Sequence, residues 1–140
     1  MRFNIISESE RRIPRKKIMT LLNLIDEEEE PPQSTVNLVF IKDKRIHQLN
    51  KAYRGKDCPT DVLSFNIDDD EDEGAVFGEI YISTDTASKN AGKFGRTFTD
   101  EILLLCCHGF LHLLGYDHEA DSDYKKMHAR EEHFLGKLKR

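Results

Sequence analysis

A chain of 140 residues has room for one hydrophobic core, so residues 1–140 are expected to form a single domain. Its net charge of −5 speaks against a uniformly basic nucleic-acid coat, and its longest apolar stretch, residues 102–115, contains two histidines and is shorter than the roughly 20 residues that span a bilayer. The opening residues are mixed and charged, unlike a secretory leader, and three cysteines is an odd number, so a cytoplasmic chain with reduced thiols and no membrane contact is expected.

Along the chain, residues 3–6 form a candidate first strand. Pro14 suits the first turn of a helix, with Ile18, Leu21, Leu22 and Ile25 following at helical spacing until Pro31-Pro32 stops it. Residues 36–41 are a short apolar run rich in branched side chains, hence a strand. From Asp43, the spacing of Ile46, Leu49 and Tyr53 predicts a helix with a basic outer face that ends at Arg54-Gly55. Residues 61–67 and 75–82 read as an antiparallel strand pair joined by an acidic loop, long for a hairpin. Thr84 is placed to cap a helix that buries Ala87, Ala91 and Phe94. Thr97 and Asp100 resemble a capping box for a helix running to about Leu114. Asp121 would cap a last helix with Tyr124, Met127, Phe134 and Leu135 inward. Helices and strands mix without strict βαβ alternation, which predicts an α+β fold with a small mixed sheet packed against helices.

The charge is unevenly distributed. Five acids at residues 26–30 and six at residues 68–73 hold eleven of the 26 acids, and without them the remainder carries +6. Lys42, Lys44, Arg45, Lys51, Arg54 and Lys56 cluster, as do Lys89, Lys93 and Arg96. Such patches attract phosphates, although solvated helix faces look the same in sequence.

Most of the chemical information lies in His108-Gly109-Phe110-Leu111-His112-Leu113-Leu114-Gly115-Tyr116-Asp117-His118. His108 and His112 stand one turn apart on one helical face. Gly115 offers a left-handed stop, and His118 follows after the chain has had room to bend back. Three imidazoles and one open position are how catalytic zinc is held, whereas structural zinc is closed by four ligands. One zinc ion per chain on His108, His112 and His118 is therefore expected. The preceding residues 102–107 are apolar on every side, so the two helical histidines need partners, either hydrogen bonds or a metal. Cys106 and Cys107 point off this face and read as small buried hydrophobes. His47, His128 and His133 lack ligand spacing and read as surface histidines.

The spacing matches the long zinc-protease signature except that Gly109 replaces the general-base glutamate, which argues against peptide hydrolysis by that route. Two reasons for a helical glycine stand side by side: substrate space beside the metal, or close packing of the helix.

The run from His108 to His118 resembles the bacterial YbeY family. So do Leu49-Asn50-Lys51-Ala52-Tyr53-Arg54, Thr60-Asp61-Val62-Leu63-Ser64-Phe65 and Gly78-Glu79-Ile80-Tyr81-Ile82-Ser83, in the family's order. The resemblance covers about residues 35–120. It implies a zinc-dependent endoribonuclease specific for single-stranded RNA, acting in maturation of the 16S ribosomal RNA 3′ end and in 70S ribosome quality control, with ribosomal RNA and ribosome-associated proteins as partners. It also implies a role in activity for Arg54, a residue otherwise read as a helix-end cation near the last carbonyls. Zinc held by three imidazoles lowers the pKa of water towards about 7, so hydrolysis does not require a strong neighbouring base. Asp117 and Glu119 flank His118, with Asp117 the candidate base or ligand-orienting residue and a turn-former as the alternative. A metalloprotease, and a ribosome-associated module with a structural metal, are the competing readings.

Overall fold

The computed structural model describes residues 1–67, 76–117 and 119–139. They form β1 (Arg2–Ser7), α1 (Arg15–Glu29), β2 (Thr35–Ile41), α2 (Asp43–Arg54), β3 (Val62–Asn66), β4 (Val76–Ser83), α3 (Thr84–Phe94), α4 (Phe98–Leu113) and α5 (Asp121–Leu138). The strands make one mixed sheet in the order β1-β2-β4-β3, parallel between β1, β2 and β4 and antiparallel between β4 and β3. The fold is α+β, as the mixed order of helices and strands predicts. The acidic stretch at residues 68–73 lies outside the described residues.

β2 is flanked by parallel strands and buries residues of both faces, as strands covered on two sides do. Val36, Leu38 and Phe40 face the larger core, which α1, α4 and α5 complete through Leu21, Phe110 and Phe134. Val39 and Ile41 face the other way into a smaller cluster closed by Ile46 and Leu49 of α2. α2 therefore covers one side of the sheet, and α1 and α4 pack on the other, with α4 also set against α3 and α5.

Helix ends follow the sequence with several corrections. Thr97 caps α4 as expected, its hydroxyl accepting from the Asp100 N–H at 3.0 Å. Ser83 caps α3 in place of Thr84, whose buried hydroxyl donates to the Ile41 carbonyl instead. Pro14 occupies the cap of α1, one position before the first turn. Ala120 precedes α5, so Asp121 sits inside the first turn, where its charge suits the positive end of the helix dipole. Three residues expected inside are exposed: Tyr53 is 67 %, Phe94 55 % and Tyr124 54 % accessible. Each lies near an end of its helix, where the covering elements have run out.

Asp43 ties α2 to the start of α3. Its carboxylate accepts from Ser83 Oγ and Thr86 Oγ1, each at 2.6 Å, and from Lys89 Nζ at 3.2 Å. Burial pushes its pKa up, but these three donors outweigh burial and hold it below the usual 3.8. A depressed carboxylate contributes stability that is present above the unfolded value and lost as pH falls through the folded one. Asp43→Asn is therefore expected to lower the melting temperature at neutral pH and to flatten its fall below about pH 4. Thermal melts of both proteins between neutral and acid pH check this; parallel curves would refute it.

Candidate active site

From Glu101 to Leu113 every residue of α4 is buried except Leu104, His108 and His112. These stand four apart, so an otherwise enclosed helix shows one open stripe, and both helical histidines lie on it. The edge strand β3 secures this orientation. Ser64 Oγ donates to the Gly109 carbonyl at 3.0 Å, and Asn66 Nδ2 donates to the Leu113 carbonyl at 3.1 Å.

The structure decides why residue 109 is glycine. A Cβ there would lie 2.7 Å from Ile80 Cγ2 and 3.2 Å from Ser64 Oγ, pointing into the sheet. Close packing against β3 and β4 is therefore the reason, and the expected substrate space is not found in that direction. A glutamate at this position would also be aimed into the sheet, away from the histidine stripe, which removes the structural basis of the protease reading.

The His108 and His112 rings lie 4.6 Å apart between centroids, inclined at 79°. His108 Nδ1 lies 2.7 Å from Glu131 Oε1 of α5, a residue only 8 % exposed. A carboxylate on one imidazole nitrogen fixes the ring and its tautomer, as outer carboxylates do for metal-bound histidines, and directs any metal to Nε2. Glu131 is not legible in the sequence as a site residue: it lies in a charged helical stretch, and only the packing of α5 on α4 brings it to His108.

Arg54 ends α2. Its guanidinium donates to the Ser64 carbonyl at 2.8 Å and lies over the Phe65 ring, 5.0 Å from the centroid. It bonds a carbonyl of β3, not the end of its own helix. Arg54, Lys56, Ser64, His108 and His112 line one cavity of about 710 Å³, together with Asp117 and Glu119. Asp117 Oδ1 accepts from the Glu119 N–H at 3.3 Å, a turn contact that leaves both residues on the cavity wall. Asn50, 3 % exposed, donates to the Cys58 carbonyl at 2.9 Å and shapes the adjoining loop.

His118 lies outside the described residues. Among the described residues, no group of three His, Cys, Asp or Glu side chains converges on a metal position. Cys106 and Cys107 are buried, and burial raises both thiols above their ordinary range. This is the inert core environment expected of them. His47, His128 and His133 are partly or well exposed and pair with Asp57, Glu132 and Glu28 respectively.

The family model described as Endoribonuclease YbeY matches residues 4–139. Similar curated proteins include Endoribonuclease YbeY of Pelotomaculum thermopropionicum, 43 % identical over 76 % of this chain and 73 % of that one. The protein of the same name from Geobacillus thermodenitrificans is 41 % identical over 86 % and 85 %. The solution structure of TM1509 from Thermotoga maritima superposes with a TM-score of 0.67 at 32 % identity, covering 97 % of this chain and 88 % of its own.

The packing at residue 109 is directly testable. Gly109→Ala should gain up to about 1 kcal/mol of helix propensity and lose about 1–3 kcal/mol to overpacking. A net fall in denaturant midpoint is expected. In an Ile80→Ala background the same change should cost less, because the clashing methyl is gone. A Gly109→Ala protein as stable as wild type would show that α4 is not seated as described.

Proposed function

This chain belongs to the endoribonuclease YbeY family, and on that premise we propose that it cuts single-stranded RNA in the cavity between α2, β3 and α4. Residues 1–140 are read as one catalytic domain. The observation that carries the reading is the shared wall: an anchored arginine and two imidazoles one helical turn apart border the same cavity.

His108, His112 and His118 would hold a zinc ion. The first two fit that role, being adjacent, on the open stripe of α4, and in one case backed by a buried carboxylate. When bound, zinc supplies Lewis acidity and lowers the pKa of water to about 7. The chain's own residues supply the rest. Phosphodiester cleavage builds negative charge on the phosphoryl oxygens, and stabilising it requires fixed positive charge. That role falls to Arg54. Its contacts with Ser64 and Phe65 hold it in place before substrate arrives, so little reorganisation is needed. Lys56 extends the positive wall, which guides the strand to the site. Asp117 is assigned to receive a proton during attack, from its place on the same wall.

Maturation of the 16S ribosomal RNA 3′ end and quality control of 70S ribosomes are the proposed setting, with ribosome-associated proteins as partners and the cytoplasm as location. Among the described residues no helix is long and apolar enough to cross a membrane.

Two experiments test this reading. Protein purified without a histidine tag should carry about one equivalent of zinc. It should also cut a labelled ribosomal RNA fragment in a chelator-sensitive manner and leave casein intact. Protein that stays metal-free after zinc addition, or cuts casein and not RNA, would overturn the proposal. Arg54→Ala should keep its zinc and its fold while losing single-turnover cleavage at saturating enzyme. Arg54→Lys should recover only part, because lysine keeps the charge but not the two-pronged grip. Wild-type cleavage by bound Arg54→Ala would remove the arginine from the chemistry.

A further inference from the structure

Phe94 is an apolar ring that the fold leaves outside. It ends α3, and at 55 % exposure it stands apart from Ala87 and Ala91, which that helix buries. Two cations lie against it: Lys93 Nζ is 5.5 Å and the Arg96 guanidinium carbon 5.1 Å from the ring centroid. Arg96 is held there by Glu101, at 2.5 Å, a carboxylate that is itself 2 % exposed. An exposed aromatic ring with two positive charges over it combines the parts of a surface that grips an unpaired nucleotide, the base taking the place of a cation over the ring.

Position supports that reading. Phe94, Arg96 and Asn90 border a cleft of about 260 Å³ that reaches His108 and Glu131. Asp61, Val62 and His108 line both this cleft and the larger cavity that holds Arg54. The two spaces therefore meet at His108. The carboxylates that border the cleft are engaged: Glu131 with His108, and Asp61 with the Val62 N–H at 2.8 Å. Glu101, the third, is the partner of Arg96. Arg96 is thus balanced by Glu101, and the net positive charge against the ring is that of Lys93.

We propose that Phe94 is a nucleobase platform, on which one unpaired base of the RNA stacks while Lys93 and Arg96 meet its phosphate, beside the nucleotide that lies at His108. The proposal rests on the RNA reading of the main cavity and specifies the strand's path: from the Arg54 wall, past His108, to Phe94. It also gives single-strand preference a physical cause. A base inside a duplex has both faces covered by its neighbours and none to offer the ring.

A single-stranded RNA carrying one 2-aminopurine, stepped through successive positions, reports the contact by fluorescence quenching. With wild-type protein one position should be quenched upon binding, and the matching duplex should show none. Phe94→Ala and Phe94→Leu should lose that quench and weaken single-strand binding about 5- to 150-fold. Phe94→Tyr and Phe94→Trp should retain both. Tyr124→Ala, which removes a similarly exposed ring elsewhere on the surface, should bind as wild type. Unchanged affinity and quench in Phe94→Ala, or Phe94→Leu matching Phe94→Tyr, would overturn the platform while leaving the RNA reading intact. Wild-type protein that neither binds nor cuts single-stranded RNA would overturn both.

Discussion

The close seat of α4 on β3 and β4 is the contact on which the site depends. Two glycines permit it. A side chain at Gly109 would strike Ile80, and one at Gly78 would meet both Leu113 methyls at 2.7–2.8 Å. With no Cβ between them, helix and strands approach closely enough for Ser64 and Asn66 to reach the helix carbonyls. Backbone oxygens in the last turns of a helix lack intrahelical partners or share them, so side chains of a neighbouring strand are a natural supply. The result is a helix clamped in rotation. Because its remaining sides pack against α1, α3 and α5, only the Leu104, His108 and His112 stripe stays open from Glu101 onward. The His108 and His112 imidazoles thereby stand on a rigid element, where packing sets their positions.

Overall charge describes this chain poorly because its acids are placed, not spread. In the run at residues 26–30, Glu28 is met by His133 and Lys137 of α5, and Glu29 accepts from Tyr116 and Arg130. Exposed pairs of this kind add little stability. Their effect is positional: they join α1 to α5 and hold Tyr116 in the turn that leads from α4 to Asp117. Glu28 and Glu29 are thus matched by basic side chains of α5, while Arg54 and Lys56 stand on the cavity wall. A net charge of −5 is compatible with a polyanionic substrate where a local wall is basic.

What the sequence shows and what it hides follow from the range of the forces involved. Periodicity and caps act over a few residues, so α2 is legible to both ends, and Thr97 is legible as the cap of α4. The histidine pair is legible for the same reason, because a spacing of four on a helix fixes a shared face. Relations across the chain are not. Gly109 has two readings until Ile80 is placed beneath it, since a glycine shows that space is needed but not in which direction. Phe94 fits the apolar spacing of α3, and periodicity does not show where the covering layer stops. His118, spaced as the third ligand, lies outside the described residues, so its part in the site stands on sequence alone.

Glu131 shows how the distant half of the molecule takes part in the site. It lies among charged residues of α5, indistinguishable by type from its neighbour Glu132, yet one is 8 % exposed and the other lies open. The difference comes from Met127 and Phe134, whose burial sets the face that α5 presents to α4 and carries Glu131 to His108. A buried carboxylate without a partner would be costly, so the imidazole satisfies the acid as much as the acid orients the imidazole. The pair thus couples two demands: packing of α5 fixes the ring, and the ring makes burial of the acid tolerable. An arrangement of that kind holds the His108 ring in one orientation by packing alone, which is what a preorganised site requires.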